Sequence, residues 1–182
     1  MSTLHVENLK GLTSGGNANK VIIPSGQTLD ASNGLTTPAG HVIQFLSQEI
    51  TAYTGTGSAT LVATGFTLTI TPKSTASKIK CTVGFNGLYA NTVGSAISIQ
   101  LYKDGSSLAW LENVVGYGHP SGQAHQANNP TLMHVDSPNT TSAVTYAIFF
   151  ARAGGSGNVY FNNYVGANNQ TRSWFTVEEI AQ

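Results

Sequence analysis

The chain has 182 residues, enough for one ordinary domain plus an appendage, and its eight Lys and Arg balance eight Asp and Glu to a formal net charge of zero. Only 9% of residues are charged, against roughly a quarter in an average soluble protein, and Gly, Ser, Thr and Asn fill the deficit. No run of either sign occurs, which excludes the electrostatic footprint of a nucleic-acid or anionic-membrane binder, and no stretch of about eighteen apolar residues occurs to span a bilayer as a helix.

The texture changes at Thr37-Pro38-Ala39-Gly40. Residues 1–40 read as an extended leader of short strands and turns, residues 41–182 as one β-domain. The first residues lack a basic segment followed by an apolar core, so a soluble chain made in the cytoplasm is expected. Leu4, Val6 and Leu9 form a brief apolar alternation, and Val21, Ile23 and Leu29 belong to short apolar segments that alternate with Pro24-Ser25-Gly26 and Asn33-Gly34 turns. Segments this thin cannot bury a core, so these six residues are read as an attachment surface that needs a partner. Fully extended, about forty residues reach on the order of 130 Å, enough to separate two bodies.

From His41 the period becomes two. Strands are predicted over residues 42–46, 59–64, 66–71, 78–85, 96–102, 143–151, 158–161 and 172–180, with His134-Val135-Asp136 on a further one, and no helix of ten residues can be drawn. Phe66, Leu68 and Ile70 alternate with threonines, the pattern of a half-buried strand. Asp104-Gly105 supplies the positive φ angles of a hairpin turn. Cys81 alternates with Ile79 and Val83 and reads as a buried, inert thiol. In residues 143–151, Val144, Tyr146, Ile148 and Phe150 face one way and Thr145, Ala147 and Phe149 the other. Apolar character on both sides calls for a core beneath and neighbouring subunits above. Trp110 and Trp174 are expected in the core or at a subunit interface.

Residues 116–130 and 162–171 lack apolar periodicity and read as exposed loops. Tyr117, His119, His125 and Asn128 in the first, and Asn163, Tyr164, Asn168 and Gln170 in the second, combine amphipathic rings with amide forks suited to sugar hydroxyls or polar epitopes. The alternative is that the loops are soluble caps. Catalysis is not expected: His134 and Asp136 share a strand face without a distinguishable nucleophile, and Glu178 and Glu179 are adjacent on a strand and face apart.

Short strands at regular spacing with Gly-rich turns predict an all-β fold, a β-sandwich or jelly roll. Residues 101–108, the segments 144–146 and 158–161, and the terminal run 173–180 resemble the tumour-necrosis-factor/complement-C1q-like jelly roll. The leader segment 21–29, with 37–44 after it, resembles the segment placed before such heads in bacteriophage tail-fibre and virion surface proteins of the marine and cyanobacterial phage type. The resemblance implies a non-enzymatic homotrimer on the virion surface. Its leader would contact other virion proteins and its head loops a host-surface glycan. The trimer interface would comprise Phe45, Tyr102, Thr145, Ala147, Phe149 and Trp174. Under the same resemblance the alternative is a capsid decoration or cement protein, or a head fibre, whose leader contacts capsid subunits. Fibres that bind iron on the threefold axis present a His-x-His pair, which His119 and His125 do not form, so neither metal nor cofactor is expected.

Overall fold

The structure is a computed structural model and describes residues 13–16, 18, 20–28, 38–92, 94–111, 129–162 and 171–182. The chain divides into two compact units, Met1–Thr36 and Thr37–Gln182. In the first, the Ala18 amide donates to the Gly15 carbonyl at 3.0 Å and the Gln27 amide to the Pro24 carbonyl at 3.1 Å, closing two turns. Between them Val21, Ile22 and Ile23 are all exposed.

The second unit is built from strands β1 (Val42–Ile50), β2 (Thr54–Thr56), β3 (Val62–Ile70), β4 (Lys78–Gly84), β5 (Tyr89–Ala90), β6 (Ala96–Lys103), β7 (Ser106–Leu111), β8 (Thr131–Asp136), β9 (Val144–Gly154), β10 (Val159–Phe161) and β11 (Ser173–Ile180). No helix occurs among the described residues. Two four-stranded antiparallel sheets, ordered β1-β11-β4-β8 and β3-β9-β6-β7, face each other as a β-sandwich, and a small sheet β2-β10-β5 adjoins them. The long strands pair β1 with β11, β3 with β9, β4 with β8 and β6 with β7.

Alternation accounts for the core. Inward residues of both sheets, among them Phe66, Ile79, Val83, Ile99, Tyr146, Phe150, Phe175 and Val177, join Val159 and Phe161 of the small sheet in one buried cluster. Phe161 meets Phe66, Phe85 and Phe150 at centroid distances of 6.2, 5.5 and 5.4 Å, mostly edge-on. Each such ring contributes roughly 1.5–3 kcal/mol by leaving water. Cys81 lies in the same cluster, and burial pushes its thiol above its ordinary value.

Two turns follow from local chemistry. Asp104 and Gly105 have φ angles of 47° and 82°, the two positive values a tight hairpin between β6 and β7 demands. Gly65, at φ 92°, lies where the β3–β9 register shifts between Ala63 and Thr67. It is therefore a bulge inside one strand, not the break between two strands that its position in the sequence predicts.

Asp136 ends β8 in a buried polar knot. Its carboxylate accepts from Lys103 Nζ at 2.8 Å and from the Tyr146 hydroxyl at 2.7 Å. Burial alone would raise this carboxyl, but the bonds from Lys103 and Tyr146, the Lys103 charge and a backbone bond from Ser137 outweigh it and hold the group below its ordinary value. A carboxyl depressed in the folded state adds stability above its unfolded value of about 4, and that stability is lost as pH falls through the folded value. Urea midpoints measured from pH 7 downward should therefore drop below about pH 4. Asp136→Asn should lower the midpoint at pH 7 and flatten that acid limb, and an acid limb unchanged in the variant would refute the assignment.

Candidate functional site

One end of the sandwich gathers the described flanks of both predicted recognition loops. The turn at Asn86 and Gly87, after β4, is the meeting point. The Phe85 amide donates to the Pro130 carbonyl at 3.1 Å, and the Gly87 amide to Asn129 Oδ1 at 3.0 Å, which fixes the approach to β8. The Asn162 amide donates to the Asn86 carbonyl at 2.8 Å, and the Asn86 amide to Ser173 Oγ at 2.9 Å, which fixes the exit from β10 and the entry to β11.

Asn162 is the hub. It is buried at φ 56°, a left-handed conformation that Asn tolerates better than most residues. Its Nδ2 donates to the Ile50 and Ala52 carbonyls at 2.7 and 3.1 Å, and its Oδ1 accepts from Ser173 Oγ at 2.6 Å. The segments at Ile50–Ala52 and at Ser173 are thereby tied to one side-chain amide.

The small sheet adds a row of aromatic rings. Tyr160 of β10 stacks on Tyr53 at 5.0 Å with 19° between planes, and on Tyr89 of β5 at 6.0 Å with 22°. Gly55 makes the row possible, since a Cβ there would stand 2.0 Å from the Tyr160 ring. Asn91 Nδ2 donates to the Tyr160 hydroxyl at 3.4 Å. Burial among these rings, then the hydrogen bond with Tyr160, pushes the Tyr53 hydroxyl up to about 12, so it remains a neutral donor and acceptor at physiological pH. Sequence reasoning missed this row. The signal was present in the nearness of Tyr53 to Gly55 and of Tyr89 to Gly87, but strands of two and three residues show no period.

The sequence-predicted residues distribute as follows. Tyr117, His119, His125, Asn128, Asn163, Tyr164, Asn168 and Gln170 lie outside the described residues, as do Leu4, Val6, Leu9 and Leu29 of the leader. Val21 and Ile23 are exposed. The six residues expected at one subunit interface do not share a surface. Phe45 and Trp174 lie on the outer face of sheet β1-β11-β4-β8, while Tyr102, Thr145, Ala147 and Phe149 lie on the outer face of the other sheet. On that second face Phe149 packs against Tyr102 at 4.7 Å and is half-buried within its own chain. The two-sided apolar pattern of β9 is thus met in part by a cross-strand neighbour, without a second subunit. Trp110 and Trp174 are both exposed, on opposite sheets, and neither is a core residue.

The larger unpartnered apolar surface is on β1-β11-β4-β8. Phe45 is 58% exposed, Trp174 47%, Met133 62% and Val135 50%. Register sets Phe45, Glu178, Lys80 and Val135 in one row across the sheet, with Thr176, Thr82 and Met133 in the next. It also carries two ion pairs, Lys80 with Glu178 at 2.7 Å and Arg172 with Glu49 at 3.1 Å, and Lys78, whose Nζ donates to Ser137 Oγ at 2.6 Å. Trp174 lies flat over Gly84, where a Cβ would come within 2.4 Å of the indole.

Of the hydrolytic pair read in the sequence, Asp136 is engaged by Lys103 and Tyr146. Among the described residues no three His, Cys, Asp or Glu side chains gather to hold a metal.

Fold and site together define an antiparallel β-sandwich domain whose described loop flanks are hydrogen-bonded together at one end and whose β1-β11-β4-β8 sheet exposes several large apolar side chains. No protein-family model matches the sequence, and no curated protein matches it. Solved structures that resemble it include dimeric latent PorU from Porphyromonas gingivalis, at 8% identity over 80% of this chain and 14% of that one, TM-score 0.44. Others are the EclA C-terminal domain, a sugar-binding protein, at 15% over 82% and 89%, TM-score 0.36, and the VP2 subviral particle of infectious bursal disease virus, at 14% over 94% and 45%, TM-score 0.40. The chain spans a small part of PorU and less than half of VP2. Likenesses of this grade carry no functional conclusion.

Proposed function

We propose that this chain is a non-enzymatic structural protein of a bacteriophage virion surface, a homotrimeric tail fibre whose head grips a host-surface glycan at its loop end. The observation that carries the reading is the convergence of both loop flanks on Asn86 and Gly87, locked by Asn162. These bonds hold the described roots of the two loops together at one end of the domain. The tyrosine row on the small sheet adds the amphipathic rings that sugar faces stack on. Self-association uses the face that carries Phe45, Trp174, Met133 and Val135, because those large apolar side chains stand exposed there and two ion pairs on the face are closed within the chain. The leader, through exposed Val21 and Ile23, seats the head on other virion proteins.

Adsorption of particles carrying Tyr117→Ala or Tyr164→Ala tests the reading. Each should lower adsorption by about tenfold, the loss of one interface anchor of roughly 1.4 kcal/mol, with the melting temperature unchanged. Full adsorption by both variants, with particle stability lost when residues 1–37 are deleted, would replace the fibre by a capsid decoration protein.

A further inference from the structure

We propose that an open cleft on the outer face of β3-β9-β6-β7 is a binding site of its own and takes a neutral hexopyranose, held beside Trp110. The choice of ligand follows from the lining of the cleft and does not rest on the glycan reading of the loop end. The cleft has a volume of about 520 Å³, within the range of small-ligand sites.

Register fixes what the lining offers. Ser98 of β6 pairs with Ala151 of β9, and Gln100 pairs with Phe149 on one side and with Trp110 of β7 on the other. Direct partners share a face, and the intervening Ile97, Ile99 and Phe150 fill the core, so these five side chains stand outward. Arg152 pairs with Ile97, and its side chain therefore stands on the opposite side of the sheet, where Nε donates to the Gly57 carbonyl at 3.2 Å. Among the described residues the cleft is thus lined without a charged side chain.

The floor is recessed and the rim is held. Ser98 and Ala151 are only 5% and 3% exposed although they point away from the core, which marks a recess and not an open sheet face. The segment before β3 forms the rim. The Arg152 backbone amide donates to the Ser58 carbonyl at 2.9 Å, while Ser58 Oγ donates to the Thr60 carbonyl at 2.7 Å and accepts from the Thr60 amide at 2.9 Å. Leu61 and Ala151 line the cleft with apolar surface. Gln100 Oε1 accepts from Ser107 Oγ at 3.3 Å, and its Nε2 donates to no described residue. Next to Gln100, Trp110 is 62% exposed and presents a flat apolar ring. A pyranose has a face of C–H bonds and an edge of hydroxyls, and it uses both kinds of surface: the face on the indole, the hydroxyls toward Gln100 and the Thr60 rim. A carboxylate here would lose water with no cation to meet it, so the ligand is uncharged.

The chain has two tryptophans, and they stand on opposite sheets, so indole emission reads the site. Titration of the full chain with methyl β-D-glucoside and with methyl β-D-galactoside should change that emission saturably for at least one of them. The change should vanish in Trp110→Phe and persist in Trp174→Phe. Methyl β-D-glucuronide should bind at least about tenfold more weakly, and Gln100→Ala should weaken the neutral sugar by about tenfold with the melting temperature held. Should Gln100→Ala fail to fold, Trp110→Ala, at an exposed position, should show the same loss by calorimetry. No saturable change with either neutral sugar, a change that follows Trp174, a glucuronide bound as tightly, or affinity kept in these variants overturns the proposal. The loop reading fails separately. Tyr117→Ala and Tyr164→Ala should leave the Trp110 response intact whatever they do to adsorption, and a response lost with them would place the sugar at the loops and overturn the cleft.

Discussion

Replacing Asn162 with Ala should destabilise the head by about 4 kcal/mol, read as a fall in the urea midpoint with unchanged slope. The substitution removes the Nδ2 donor from the partly buried Ile50 and Ala52 carbonyl bonds and the acceptor from the buried Ser173 hydroxyl. Each buried group so orphaned costs roughly 1–3 kcal/mol. Ala at φ 56° adds about 1 kcal/mol of backbone strain. Asn162→Gly removes that strain but not the lost bonds, so it should recover only about a quarter of the effect. If Gly restored full stability, the hub would be a backbone requirement alone and the side-chain tie would carry no weight. The loss should also show locally, as faster amide exchange at Asn86 and Gly87 than in β6 or β9.

The second large effect is expected at Trp174, and it falls on assembly instead of folding. The indole is half-exposed and lies across Gly84, so its removal uncovers a glycine backbone but opens no core cavity. Stability of the isolated head should change by less than about 1 kcal/mol. At an interface, by contrast, a flat aromatic anchor commonly accounts for 2 kcal/mol or more, so Trp174→Lys should weaken association by roughly thirtyfold per contact. Gly84→Val would act on the same ring from beneath, since its side chain cannot share the space within 2.4 Å of the indole. The opposite sheet supplies the control. Phe149→Ser, on the face where Phe149 already packs on Tyr102, should leave association intact.

Much of the sandwich was legible because its strands are long enough to show a period. The alternation in β9 predicts the buried set Val144, Tyr146, Ile148 and Phe150, and the Asp104-Gly105 pair predicts its hairpin. Gly65 was misread as a strand break because a bulge and a turn both call for a positive φ, and only the partner strand decides between them. The six residues read as one interface set divide between the two sheets for a related reason. Alternation tells which residues point outward, but not which of two sheets they stand on, so Trp174 and Phe149 look equivalent in sequence and lie on opposite faces. The tyrosine row and the Asn162 hub depend on contacts across more than a hundred positions, beyond the reach of any local pattern.

The account depends most on the apolar face of β1-β11-β4-β8 being an interface between copies. Sedimentation equilibrium of the full chain at micromolar concentration tests this directly. A particle of about three times the 19.0 kDa of one chain, reduced to a single chain by Trp174→Lys, is the predicted result. A wild-type particle of 19.0 kDa, or a larger one indifferent to Trp174→Lys, would contradict it.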